Sequence, residues 1–118
     1  MPIMGTAAIL FAIAAVGGAI MAAMRLGGRP LPPLGLAILH GLIAAAGLIT
    51  LIVAVSGGTA PTMALVAVAG FVIAALGGLT MILLFHLKQK PLPIPLMLVH
   101  GGVAVISFII LLLTIFRP

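Results

Sequence analysis

Two histidines inside long apolar stretches, His40 and His100, carry the chemistry that this sequence offers. They lie sixty positions apart in matching segments, LHG at 39–41 and VHG at 99–101. Neutral imidazole is the commonest metal ligand in proteins, and an ionisable side chain within a membrane segment predicts a function by default. We therefore take these two histidines as candidate ligands of a metal or a cofactor.

A second segment repeats at the same offset. Residues 11–21 read FAIAAVGGAIM and residues 71–81 read FVIAALGGLTM, so that the Phe, the Ile, two Ala, both Gly and the Met are shared. The two sets of matches predict a two-helix unit that is present twice, over residues 4–58 and 62–116. With an even number of membrane spans per unit, the copies are expected to be parallel, about an axis along the membrane normal.

The repeated positions predict one shared site. At a rise of about 1.5 Å per residue, Met21 and Met81 fall at about the depth of the two histidines. Four small residues lie about one turn deeper: Gly17, Gly18, Gly77 and Gly78. Taken alone, glycine and methionine at helical spacing indicate ordinary helix packing, and the paired histidines favour a binding site.

Two imidazoles on facing helices can be the two axial ligands of a haem iron. The leading prediction is one haem b with His40 and His100 as axial ligands, in an electron-transfer or redox role. The four glycines would let the edges of the macrocycle approach the backbone, and cationic side chains on the same side would bind the propionates. Those side chains are Arg25, Arg29, Lys88 and Lys90.

This plan resembles the four-helix membrane b-type cytochromes, in which histidines on facing helices ligate haem within the bilayer. Those proteins often carry two haems on four histidines. Because this chain has one equivalent pair, His40 and His100, the resemblance implies at most one bis-histidine haem.

Two alternatives stay open. Cu(I) could be bound by His40, His100, Met21 and Met81, because thioether and imidazole ligands suit that soft ion. The chain could also be a structural or accessory subunit of a larger membrane complex or a homo-oligomer, with its histidines against a neighbour's pigment, lipid or quinone. We expect no enzymatic activity from the chain alone.

The third histidine, His86, has Leu26 as its counterpart at the sixty-residue offset, which places it outside the symmetric pair. We expect it at the membrane interface, where its ring would hydrogen-bond a loop carbonyl or a lipid headgroup. A propionate partner or a proton donor at the membrane surface is the alternative.

The composition defines the elements that position these residues. Hydrophobic residues make up 65% of the chain and charged residues 4%, against about 25% charged in soluble domains, so the protein is an integral membrane protein. Its lack of Asp, Glu and Cys excludes carboxylate acid–base catalysis, magnesium or calcium sites and thiolate sites. The net charge of +5 sits mainly beside apolar segments, so we expect contact with the lipid bilayer and no nucleic-acid partner.

Four apolar stretches are long enough to cross a bilayer as helices, at residues 4–25, 34–55, 62–86 and 95–116. Pro and Gly in the intervening segments end each helix. The sequence therefore predicts an all-α membrane protein, a single domain over 1–118 with four transmembrane helices in an up-down-up-down bundle of two parallel hairpins.

The charges predict the orientation of the bundle. Cations cluster in or beside the first and third loops, at Arg25, Arg29, Lys88 and Lys90, whereas Arg117 stands alone near the other side. By the positive-inside rule, loops 26–33 and 87–94 are expected to be cytoplasmic and both termini outside. The small size of the chain suggests a multi-pass protein of a bacterial cytoplasmic membrane.

Overall fold

A computed structural model describes residues 2–117 of the chain. Within them the fold is all-helical, and a π-helical turn, Ile82–His86, extends the third helix. The α-helices are α1 (Pro2–Leu26), α2 (Leu34–Val55), α3 (Thr62–Met81) and α4 (Ile94–Phe116). Each of the four helical stretches is long and apolar enough to cross a membrane, which confirms the prediction of four such helices in a multi-pass membrane protein.

Prolines mark where α2, α3 and α4 begin. Pro33, Pro61 and Pro93 directly precede these helices in extended backbone conformations, with ψ of 133°, 148° and 120°. Because the first N–H groups of a helix have no partner within it, a proline beside the first turn costs no hydrogen bond.

The end of α1 is closed by two backbone hydrogen bonds. The Gly28 N–H donates to the Arg25 carbonyl at 3.1 Å and the Arg29 N–H donates to the Met24 carbonyl at 3.0 Å. Gly28 has φ of +104°, which a residue without Cβ adopts readily. This is the Schellman arrangement, in which a left-handed residue terminates a helix.

The π-helical turn after α3 ends in the same arrangement. The Gln89 N–H donates to the His86 carbonyl at 3.1 Å, and the Lys90 N–H donates to the Phe85 carbonyl at 2.8 Å. Gln89 has φ of +54°, so it occupies the left-handed position that Gly28 occupies after α1.

These matching ends correct the expected counterpart of His86. A π-helical turn contains one residue more than the α-helix around it, so the offset between the two hairpins grows from sixty to sixty-one after Met81 and returns to sixty at Pro33 and Pro93. His86 therefore corresponds to Arg25, and the alignment of His86 with Leu26 was wrong by one residue. The sequence carries a trace of this shift, since PLP at 30–32 recurs at 91–93.

The packed core lies in the half of the bundle away from the first and third loops. Its largest fully buried side chains are Met4, Leu51 and Leu111. The rings of Phe11 and Phe71 stack at its centre, with centroids 3.7 Å apart and planes 3° from parallel. The two helices of each hairpin pack most extensively against each other, α1 with α2 and α3 with α4.

The outer surface is apolar along all four helices, with exposed Ile, Leu and Val side chains on each. The molecule is 44 Å long and about 20 Å across, and a bilayer with its headgroup regions is about 40–45 Å thick. Such a surface suits lipid contact in a membrane.

Candidate functional site

Each of the two paired histidines is anchored to a backbone carbonyl of the preceding helix. The Nδ1 atom of His40 lies 2.7 Å from the carbonyl oxygen of Ala14, and that of His100 lies 2.7 Å from the carbonyl oxygen of Ala74. A carbonyl only accepts hydrogen bonds, so in each ring Nδ1 carries the proton and donates, and the neutral ring keeps the lone pair of Nε2. This is the second-shell arrangement that orients metal-binding histidines.

The two imidazoles lie close together. Their ring centroids are 6.3 Å apart and their planes make an angle of 76°. A metal–nitrogen bond to imidazole is about 2.0 Å long, and the ring centroid lies roughly one ring radius beyond the nitrogen. Two imidazoles on opposite sides of one metal ion would therefore have centroids about 6 Å apart. The separation therefore fits two imidazoles that share one metal ion.

Glycines make room for the rings. A Cβ atom at Gly18 would lie 3.1 Å from Cε1 of His40, and one at Gly78 would lie 3.3 Å from Cε1 of His100. A Cβ atom at the preceding residues, Gly17 and Gly77, would lie 3.7 Å and 3.5 Å from Cβ of His40 and His100. The repeated Gly–Gly pairs thus let each imidazole reach the carbonyl one turn earlier, and close approach of a macrocycle edge stays a prediction.

The histidines lie at the border of the packed core. Both are half-buried, and the residues carrying their carbonyl partners, Ala14 and Ala74, are buried. Between that level and the first and third loops, the buried positions in the described part of the chain are Pro32, His86, Leu92 and Met97. The helices at the level of the histidine pair are thus held together by few buried side chains.

A metal ion at this site would need ligands besides the histidines. Within residues 2–117, no group of three or more His, Cys, Asp or Glu side chains could hold a metal ion. The two methionines at the same depth, Met21 and Met81, are half-buried.

The predicted cations differ in their surroundings. Arg25 is half-buried and its Nε donates to the Leu92 carbonyl at 2.9 Å. The Leu92 N–H donates in turn to the Pro30 carbonyl at 3.1 Å. These bonds join the first and third loops, so both loops lie at the same end of the bundle.

The other three cations are exposed: Arg29, Lys88 and Lys90. Arg29 Nε donates to the carbonyl of Leu31 at 2.9 Å within its own loop. Arg25 follows Gly18 by two helical turns on one face of α1.

His86 lies at the end of the π-helical turn, and its predicted hydrogen bond to a lipid headgroup stays a prediction. It is 8% exposed, and in the part of the chain that the structure describes its ring makes no hydrogen bond to a loop carbonyl. It instead lines a cavity together with Arg29 and Gln89. Sequence reasoning missed this grouping, although the one-residue shift of PLP between the hairpins signals that His86 takes the place of Arg25.

Comparisons with protein-family models, curated proteins and solved structures found no match to this chain. The geometry of the site is therefore the basis for interpreting it.

Proposed function

We propose that the chain is a membrane haem b protein in which His40 and His100 supply both axial ligands of one iron. The observation that carries the proposal is the pair of imidazoles, each anchored through Nδ1 to a carbonyl, with ring centroids 6.3 Å apart. The role would be electron transfer or redox sensing in the membrane.

The donor set favours haem over a bare ion. The chain offers two neutral imidazoles and no carboxylate or thiolate, and a porphyrin supplies the remaining four nitrogens itself. When bound, haem supplies one-electron chemistry at its iron. The protein would orient the ligands through Ala14 and Ala74, and the apolar surround would keep water from the iron.

The surroundings of the histidines support a bulky occupant. The stacked Phe11 and Phe71 rings fill the centre of the other half of the bundle, whereas few buried side chains lie between the histidines and the first and third loops. Arg25, half-buried on the face of α1 that carries Gly18, would pair with a propionate. Arg29, Lys88 and Lys90 are further candidates for that role at the same end.

The proposed architecture is an up-down-up-down bundle of two tandem-duplicated hairpins. In its support, the His40–Ala14 and His100–Ala74 bonds recur at an offset of sixty, and both hairpins end their first helix in a Schellman arrangement. The joined first and third loops gather four of the five cations at one end. We infer that this end is cytoplasmic, that both termini are outside and that the membrane is a bacterial cytoplasmic membrane.

Absorption spectroscopy tests the proposal. Protein expressed with ample haem and purified in detergent is expected to show a low-spin spectrum that shifts when dithionite reduces the iron. His40→Ala and His100→Ala should each abolish that spectrum, because one imidazole cannot keep the iron six-coordinate. Met21→Leu is the matched control at the same depth and should keep it, since volume-conserving swaps cost less than about 1.5 kcal/mol.

The alternatives give different outcomes. A Cu(I) site would show no Soret band, and its metal content would fall in Met21→Leu and Met81→Leu. An accessory subunit would bind neither haem nor copper. Protein that stays colourless after haem-rich expression and does not respond to added hemin would rule out the haem proposal.

A further inference from the structure

The pseudo-equivalent residues Arg25 and His86 have different surroundings. Arg25 reaches across to the Leu92 carbonyl, whereas the shorter His86 side chain makes no such bond within residues 2–117. Beside His86 lies a cavity of about 330 Å³, between the end of α3 and the first loop. His86 is one of the residues that line this cavity.

The polar groups around this cavity are hydrogen-bond donors. His86 is 8% exposed, and an imidazole carries at least one N–H in either tautomer. Arg29 uses Nε on its own loop, and its other guanidinium N–H groups have no partner among the described residues. Gln89 contributes an amide whose N–H₂ group donates.

No internal anion can satisfy these donors, because the sequence contains no Asp or Glu. Within residues 2–117 no fully buried side-chain nitrogen or oxygen lacks a hydrogen-bond partner, so the ring nitrogens of His86 remain accessible to a bound group. A bound group that is negatively charged and rich in acceptors would accept from these donors and neutralise the guanidinium.

We propose that this cavity binds the phosphate of an anionic phospholipid headgroup, with Arg29, His86 and Gln89 as the donors. The cavity lies where the third membrane helix ends, at the depth of lipid headgroups. Its rim includes Leu34 and Leu87, which are 40% and 56% exposed and would contact the glycerol and acyl portions. Basic pockets between membrane helices are known to hold such headgroups.

The site is separate from the histidine pair and does not rest on the haem proposal. It includes neither His40 nor His100, so binding can be measured whether or not the purified chain carries haem. Inorganic phosphate offers the same oxygen chemistry without the acyl chains, and the apolar rim favours the lipid.

Native mass spectrometry of the full chain in detergent, titrated with phosphatidylglycerol, tests the site. We expect one tightly bound lipid, with affinity about tenfold lower in both Arg29→Gln and His86→Leu, since a hydrogen bond to a charged group contributes that much. Lys88→Gln is the matched control because it removes the same charge from an exposed residue of the same end that does not line the cavity. His86→Gln keeps an N–H donor and should restore part of the affinity.

Three outcomes would overturn the proposal. Equal loss in Lys88→Gln and Arg29→Gln would show a diffuse charge effect, and wild-type affinity in His86→Leu would remove the histidine from the site. Binding of inorganic phosphate that depends on Arg29, without binding of phosphatidylglycerol, would assign the cavity to the free anion. Circular dichroism of each variant checks that the four helices remain folded.

Discussion

His40 reaches a carbonyl inside a neighbouring membrane helix because Gly18 leaves open the space beside that carbonyl. The oxygen of Ala14 has two lone pairs, so it can accept from the imidazole while it stays in the backbone ladder of α1. The lack of a side chain at Gly18 therefore helps to decide the orientation of an imidazole on another helix. The same relation holds for His100 and Ala74.

A single methyl group at Gly18 should disturb this orientation. In Gly18→Ala the new Cβ would lie 3.1 Å from Cε1 of His40, so the ring must move and its bond to Ala14 weakens. We expect hemin affinity to fall about tenfold, as for loss of a second-shell partner, measured by absorbance titration. Gly5→Ala on the same helix is the control, because nothing lies within 4 Å of its Cβ position; equal affinity in both variants would contradict the assigned role.

The backbone conformation of Gln89 carries a free-energy cost that can be measured. Its φ of +54° is unfavourable for a residue with a Cβ, by about 1–2 kcal/mol. Gln89→Gly should therefore raise the free energy of unfolding by about 1 kcal/mol. The full relief of strain is not gained, because glycine loses more conformational entropy on folding than glutamine does. Denaturation in mixed micelles with increasing SDS measures the change.

Matched variants check the reason for this gain. Gln89→Ala keeps a Cβ and should bring no stabilisation, while Gly28→Ala at the equivalent position, where φ is +104°, should lower stability. If Gln89→Ala stabilised the protein as much as Gln89→Gly, backbone conformation would not be the cause.

At the scale of elements, the π-helical turn Ile82–His86 keeps the second hairpin in phase with the first. One residue more in α3 would otherwise rotate everything after it by about 100°. Accommodated as a π-helical turn, the extra residue leaves His86, Gln89 and PLP at 91–93 in the positions that Arg25, Gly28 and PLP at 30–32 hold after α1.

Deleting one residue from this turn should therefore be tolerated. Removal of Leu84, which is 49% exposed, would convert the turn to regular α-helix without changing the phase of the following loop. We expect the midpoint of thermal unfolding to shift by less than about 4 °C, the change that roughly 1 kcal/mol produces. Circular dichroism against temperature measures it.

The control is the same deletion in α1, which has no π-helical turn. Removal of Ile20, 46% exposed, would rotate Arg25 away from the Leu92 carbonyl. A clearly larger loss of stability is expected there. Equal losses in the two deletions would contradict the role assigned to the turn.

At the scale of the whole molecule, the apolar helices and the positions of the cations together determine how the bundle is expected to insert in a membrane. The exposed apolar side chains suit contact with lipid. The hydrogen bonds between Arg25, Leu92 and Pro30 hold two loops with four cations at one end. Cations near membrane spans stay cytoplasmic. The bundle is therefore expected to insert in one orientation.

Single-cysteine labelling tests that orientation directly, because the chain has no Cys of its own. Gly57→Cys, in the exposed second loop, should react with a membrane-impermeant maleimide in intact cells. Gln89→Cys should react only after permeabilisation. Labelling of Gln89→Cys from outside intact cells would reverse the proposed topology.

The sequence by itself determined the class of the protein, its four apolar helices and the pairing of His40 with His100 as candidate ligands. These features depend on local quantities: the length of each apolar stretch, the prolines that begin helices and the spacing of repeated residues. They could be read without knowing how the helices pack.

The tertiary structure alone decided which atoms meet. It places Nδ1 of His40 on Ala14 and sets the Gly18 position against the imidazole, contacts that depend on how closely two helices approach. It also decided the place of His86, because the extra residue is accommodated in a π-helical turn and His86 therefore takes the position that Arg25 holds after α1. The sixty-one-residue offset of PLP records one inserted residue, but spacing alone does not say whether that residue lengthens a helix or a loop.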